Sequence, residues 1–265
     1  MKDRIWVHTS VLNKIIIILL LSISLQLKSQ DRSRFMFYNT ENFFDIYDDS
    51  LKNDEEFTPD GDKRWNSAKY NEKLNHIYKV VTAIGEWTPP DLIGLCEVEN
   101  RLVLEELIKY TPLNKLNYEI IHYESPDNRG IDVALLYNKK QYEIIKTVPI
   151  PVVIDGRPTR DILYAKLKSK SDDTLHIFIN HWPSRWGGQI NSESRRIAAA
   201  SILRTTIDSL FIAEINPNIL ISGDFNDYPK DKSLIEYLKT RTNFETIENE
   251  ELYNISFYLQ EENDQ

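Results

Sequence analysis

A layered α/β fold is predicted by three features of the chain: apolar strand-like runs that stop abruptly at polar clusters, two segments with helical apolar spacing, and no repeat or low-complexity linker between them. In order, Phe35-Met36-Phe37-Tyr38 runs into Asn39, Thr40, Glu41 and Asn42. Ser67 is placed to cap a helix in which Leu74, Ile77, Val81 and Ile84 follow helical spacing, so one face packs on a sheet. Residues 91–98 read as a buried strand ending at Glu97. Residues 118–123, 131–137, 142–150 and 161–168 read as strands, and Lys170-Ser171-Asp172-Asp173 as a hairpin turn into 174–180, a succession that favours antiparallel sheets. A long helix from about Ser192 to Ile215 buries Ile197, Leu203, Ile207 and Leu210, and Pro217 ends it before the strand that leads to Asp224.

Composition bounds the rest. With 265 residues, 41% of them hydrophobic, the chain is long enough to bury a sizeable core as one domain. Lys2, Arg4 and Lys14 precede an apolar stretch from Ile15 to Leu25 that is short for a membrane span, so residues 1–30 read as a signal peptide and 31–265 as a secreted, monomeric domain with no stable membrane insertion. Without residues 1–30 the chain keeps 28 basic and 40 acidic residues, a formal charge of −12. A polyanionic partner therefore needs a local basic patch, which Arg129, Arg157, Arg160, Arg185, Arg195 and Arg196 are placed to supply. Cys96, the lone cysteine, sits in an apolar run and reads as a small core residue.

Four strand ends carry chemistry: Asn39 with Glu41 and Asn42, Glu97 with Glu99, Asn180 with His181, and Asp224 with Asn226. Ligands collect outside the carboxyl ends of strands in α/β proteins, and four such ends with complementary groups point to one site. Strand alternation puts Asp224 and Asn226 on one side and turns Phe225 back into the packing. His76 and His122 lie in a helical face and a strand without motif context and read as structural. Gly187-Gly188 has no following Lys and reads as a loop rather than a nucleotide cradle, and no His/Cys cluster calls for zinc.

Tyr-Asn-Thr-Glu-Asn at 38–42, Glu-Val-Glu-Asn at 97–100, Arg-Gly-Ile-Asp at 129–132, Asn-His-Trp-Pro-Ser-Arg at 180–185 and Gly-Asp-Phe-Asn-Asp at 223–227 occur in the order in which the endonuclease/exonuclease/phosphatase superfamily carries such motifs, and the chain resembles its secreted bacterial nuclease-like branch. The resemblance implies a four-layer α/β sandwich, two mostly antiparallel sheets face to face with helices outside, and a divalent-metal site at one edge. It implies Mg²⁺ or Mn²⁺ held by Glu97 with Asn39 beside it, Asp224 orienting or deprotonating water, Asn226 donating to phosphoryl oxygens, and His181 contacting the phosphate or protonating the leaving group. Arg129 and Arg185 are candidate phosphate contacts, and Glu41, Glu99 and Asp132 candidate supports. The expected substrate is a nucleic acid or another phosphodiester, with a phosphatase, a phospholipid or sugar-phosphate phosphodiesterase, or a non-catalytic secreted binding protein as alternatives.

One departure stands out. Members of the superfamily carry a Ser-Asp-His or Asp-His pair near the C terminus, and here no histidine follows His181. The expectation is therefore a domain cut short at its C terminus, with its last strands missing, apolar edges exposed and weak isolated activity.

Overall fold

Strand β1 (Phe35–Phe43) pairs in parallel with β2 (Leu92–Val98), and antiparallel β4 (Asp132–Asn138) and β3 (Tyr118–His122) extend this first sheet to the order β1-β2-β4-β3. A second sheet, in the order β10-β9-β8-β5, joins β5 (Tyr142–Ile150), β8 (Ile162–Ser169), β9 (Thr174–His181) and β10 (Ile219–Asp224). Its β9 and β10 are parallel and its other pairs antiparallel. This computed structural model describes residues 32–85 and 88–258. The leader expected at 1–30 lies outside the described residues. Small ribbons, β6 (Val153–Ile154) with β7 (Arg157–Pro158) and β11 (Thr240–Arg241) with β12 (Leu252–Tyr253), flank the second sheet.

Side-chain alternation builds the layers. In β2, Ile93 and Leu95 face outward while Leu92 and Cys96 face the other sheet. In β9, Ile177 and Ile179 point inward and Phe178 outward. Helices α1 (Ser67–Gly85) and α2 (Arg101–Tyr110) cover the first sheet through Leu74, Ile77, Val81, Leu104 and Leu107. Helix α3 (Gln189–Ala213) covers the second through Ala199, Leu203 and Ile207. The result is the four-layer sandwich, and because strand faces alternate with a period of two, each sheet serves two apolar layers at once. Cys96 is fully buried between the sheets, and desolvation pushes its thiol up, away from reactivity. Among the described residues no helix is long and apolar enough to cross a membrane.

Several local expectations are corrected. Asn66, not Ser67, caps α1, its Oδ1 accepting the N–H groups of Ala68 and Lys69 at 3.0 and 3.2 Å. Ile84 is 55% exposed, and Gly85 beside it takes the buried position in the last turn. In α3 the fully enclosed positions include Arg196 and the small Ala199 and Ala200, while Ile197 and Leu210 are half-buried. Both β1 and β10 are edge strands, and a groove of about 510 Å³ runs along them, lined among others by Phe35, Leu220, Leu252 and Tyr253.

On the outer face of the second sheet His176 is enclosed, its Nδ1 2.9 Å from the Tyr164 hydroxyl and its Nε2 3.1 Å from Glu214, which Lys166 also holds at 2.7 Å. Burial pushes His176 below its ordinary value of 6.5, outweighing the opposing pull of Glu214. Between the folded and unfolded values the unfolded chain binds more protons, so this group's contribution is complete above about pH 6.5 and is lost as pH falls below it. His176→Gln is expected to flatten the acid limb of stability below about pH 6.5, by up to about 1.4 kcal/mol per pH unit in urea titrations.

Candidate active site

Two bulges open the first sheet where the polar clusters begin. The β1–β2 register shifts between Asn39 and Phe43, and the β2–β4 register between Cys96 and Val98. Glu97 sits in the second bulge with φ 59°, and Glu41 and Asn42 take φ 55° and 63°. A left-handed Glu is unfavourable in isolation, so the turn is held from outside. Buried Thr40 donates its hydroxyl to the carbonyls of Cys96 and Glu97 at 2.7 and 3.0 Å, and the Asn42 N–H donates to Glu97 Oε2 at 2.9 Å. The bulge re-aims the Glu97 side chain out of the layered packing into the site.

The second sheet delivers His181 and Asp224 side by side, since the parallel register pairs these two residues. Gly223 makes the approach possible: a Cβ there would run into the Asn180 carbonyl oxygen and lie 2.6 Å from the Asn180 Cβ. Gly223→Ala is expected to cost about 2–3 kcal/mol in urea unfolding and to shift Asp224 out of line. Beyond the strand, Phe225 packs edge-on against buried Trp182 at 4.8 Å between ring centres, which leaves Asp224 and Asn226 on the open side as the alternation requires. Asp224 Oδ1 accepts the Asn226 N–H at 3.0 Å, and the Asn226 amide nitrogen donates to the Trp182 carbonyl at 3.1 Å. An amide nitrogen carries two hydrogens, so one N–H anchors Asn226 and the second remains for a ligand.

Asn39 joins the two sheets. Its amide nitrogen donates to Asp224 Oδ2 at 3.0 Å and reaches Glu97 Oε1 at 3.5 Å, while its oxygen accepts the Glu41 N–H at 2.8 Å. In this arrangement the Asn39 oxygen accepts a backbone N–H and its N–H side faces the carboxylates. Glu97 Oε1 is also 3.8 Å from His181 Nε2. Burial, with Arg160 and Arg129 adding, pushes His181 down to about 3. The ring is therefore neutral at physiological pH, and Nδ1 is buried without a partner. Its unperturbed value near neutrality is not a guide to its state here; a neutral imidazole acts as a hydrogen-bond donor.

The arginines separate. Arg129 stands at the rim, its Nη2 donating to Asn42 Oδ1 at 2.8 Å. Arg185 does not serve as a free phosphate contact. Its guanidinium binds the Asn226 carbonyl at 2.7 Å, Asp227 at 3.2 Å and Asp231 at 2.6 Å, and lies 4.5 Å from the Tyr228 ring centre, so it braces the Asp224–Asn226 loop. Arg160, for which the sequence offers only its place among several loop arginines, lies behind His181, paired with Asp127 at 3.2 Å and donating to the Trp182 carbonyl at 2.9 Å. Lys73 of α1, which no motif marks, donates to the Thr40 and Glu41 carbonyls at 2.9 and 3.0 Å.

The donor set fits a hard divalent cation. Glu97 Oε1 has no partner closer than 3.5 Å, Asp224 stands across one amide from it, and an oxygen-rich pocket with few protein ligands suits magnesium or manganese, which retain waters.

The sequence pattern of the Endonuclease/Exonuclease/phosphatase family matches residues 34–264. No curated protein matches the chain. Among solved structures, the catalytic domain of human Nocturnin is 20% identical with TM-score 0.50, over 62% of this chain and 60% of that one. ANGEL2, a 2',3'-cyclic phosphatase, is 15% identical with TM-score 0.51, over 63% and 46%. A mannosyl-6-phosphatase of Bacteroides thetaiotaomicron is 14% identical with TM-score 0.52, over 78% and 70%. The chain thus spans less than two thirds of the first two structures it matches, and the likeness is one of fold.

Proposed function

The chain belongs to the endonuclease/exonuclease/phosphatase family, and on that premise we propose that it is a divalent-metal-dependent phosphoester hydrolase whose substrate is a nucleic-acid phosphodiester. One observation carries this reading: a single amide, Asn39, ties the Asp224 and Glu97 carboxylates together from opposite sheets, beside a neutral His181. Two carboxylates held this close without a cationic partner between them are arranged for a cation and a water rather than for stability.

Glu97 would hold the cation, which when bound neutralises phosphate charge and stabilises the leaving oxygen. Asp224, fixed by the Asn39 N–H, orients the attacking water and accepts its proton at Oδ2. The second Asn226 N–H and the His181 N–H donate to the phosphoryl oxygens as negative charge develops there. Arg129 at the rim meets the flanking phosphate, and burial, with Arg160 and Arg129 adding, keeps His181 unprotonated so that it serves as donor rather than as counter-ion to Glu97. The signal-peptide pattern of residues 1–30 supports a location outside the cytoplasm, which N-terminal sequencing of the mature protein checks. A phosphatase acting on a smaller phosphoester is the second reading, supported by the phosphatases that share the fold.

The test is turnover of plasmid DNA, RNA, bis(p-nitrophenyl) phosphate and p-nitrophenyl phosphate with Mg²⁺, Mn²⁺ or EDTA. Metal-dependent loss of the nucleic acids with little monoester turnover is expected. Preference for the monoester would replace the nuclease reading with the phosphatase one.

A further inference from the structure

At the far side of the first sheet, His122, Glu124 and Asp132 bring one ligand atom each to within 4.8 Å of one another. His122 closes β3 and Asp132 opens β4, so the group sits at the root of the loop 123–131. His122 Nε2 lies 3.5 Å from Asp132 Oδ2, and Nδ1 lies 3.8 Å from Glu124 Oε1. A single ion takes only one ring nitrogen, and the 3.5 Å between Nε2 and Asp132 matches neighbouring ligands around a small divalent ion, whose bonds to N and O run about 2.0–2.2 Å.

A cluster of carboxylates alone would mean little, but the histidine is different. Its side chain is 2% exposed, and Nε2, aimed at Asp132, has no hydrogen-bond partner. Asp132 is itself 2% exposed; its Oδ1 accepts the Ser125 N–H at 2.9 Å, and its carboxyl group also meets His122 and hydrogen-bonds with the Glu124 carboxyl. Ser125, 5% exposed, has a hydroxyl without a partner and lines, with Asp132 and Asp161, a cavity of about 10 Å³, room for one water. An unpaired buried imidazole nitrogen beside two carboxyl groups held against each other is costly unless a further atom joins them.

We propose that His122, Glu124 and Asp132 form a second metal site, specific for a transition divalent ion such as zinc and distinct from the catalytic pocket. One imidazole and two carboxylates balance a dication and favour borderline ions over magnesium, which prefers oxygen alone. The sequence predicts no zinc because a His-x-Glu pair followed eight residues later by Asp resembles no His/Cys cluster; antiparallel pairing of β3 with β4 assembles the set instead. The ion clamps the loop that carries Asp127, the partner of Arg160, and Arg129, the rim arginine. Its role is to order the substrate-facing side of the site.

The Glu97→Gln chain, stripped with EDTA, removes the catalytic ligand and isolates this site. Titration with Co²⁺, followed by visible absorption, is expected to show one tight equivalent with a nitrogen-coordinated spectrum that Zn²⁺ displaces and millimolar Mg²⁺ does not. Adding Glu124→Ala, a position 58% exposed and tolerant of change, weakens binding by about tenfold or more, and Asp132→Asn abolishes it. Absence of a cobalt spectrum in Glu97→Gln, or unchanged affinity in Glu124→Ala, overturns the assignment. Because the readout is metal binding without turnover, its failure leaves the hydrolase reading standing, and the reverse holds.

Discussion

Asp224→Asn lowers kcat for phosphodiester hydrolysis by about a thousandfold with little change in thermal stability. The substitution keeps the shape and the hydrogen bond from Asn226 N–H to Oδ1 at 3.0 Å. It removes the charge that the Asn39 N–H holds at 3.0 Å, and with it the only proton acceptor aligned with water in the proposed pathway. Steady-state kinetics with urea unfolding on the same sample separate loss of chemistry from loss of fold. A change of less than tenfold would show that Asp224 only closes the turn.

Arg196→Met is expected to destabilise the fold strongly. Arg196 is fully buried, its Nε 2.6 Å from Asp227 Oδ1 and its Nη1 donating to Ser192 Oγ at 2.8 Å, and Asp227 is 1% exposed. The Nε–H is not aimed along the contact, so the pair is held by charge rather than by a directional bond. Removing one partner strands a buried carboxylate, at a cost of about 3 kcal/mol, the lower end of the usual range because Ser233 Oγ at 2.6 Å and Arg185 still reach Asp227. For a domain of this size that is about 10 °C in Tm. The double change Arg196→Met with Asp227→Leu is expected to recover much of the loss in the same calorimetric scan, since the orphaned charge is then gone.

Much of this architecture is legible in the residues themselves. Alternating apolar runs mark β1, β2, β8, β9 and β10, and the polar groups that end them, Asn39, Glu97, His181, Asp224 and Asn226, do converge. Asn is tolerant of left-handed backbone, so turns at Asn42 and Asn226 accord with residue type. The bulge at Glu97 has no such signal, because Glu carries no preference for φ 59° and Thr40 and Asn42 from a neighbouring strand hold it. Parallel pairing of β9 with β10 is equally silent, since it follows from the α3 crossover and not from either strand. The role of Arg185 is hidden for a related reason: three of its four acceptors lie more than 40 positions away, and only the fold shows that they consume its donors before a substrate arrives. The same holds for His181, whose neutrality is set by burial and two distant arginines.

The measurement that tests the account most directly is hydrolysis of nucleic acid and bis(p-nitrophenyl) phosphate by the parent chain and by Glu97→Gln, each with Mg²⁺ and with EDTA. The account predicts turnover that EDTA abolishes and that Glu97→Gln reduces by about a thousandfold while the fold survives. Equal rates in the two proteins, turnover indifferent to EDTA, or no turnover of any phosphoester by a folded parent would contradict it.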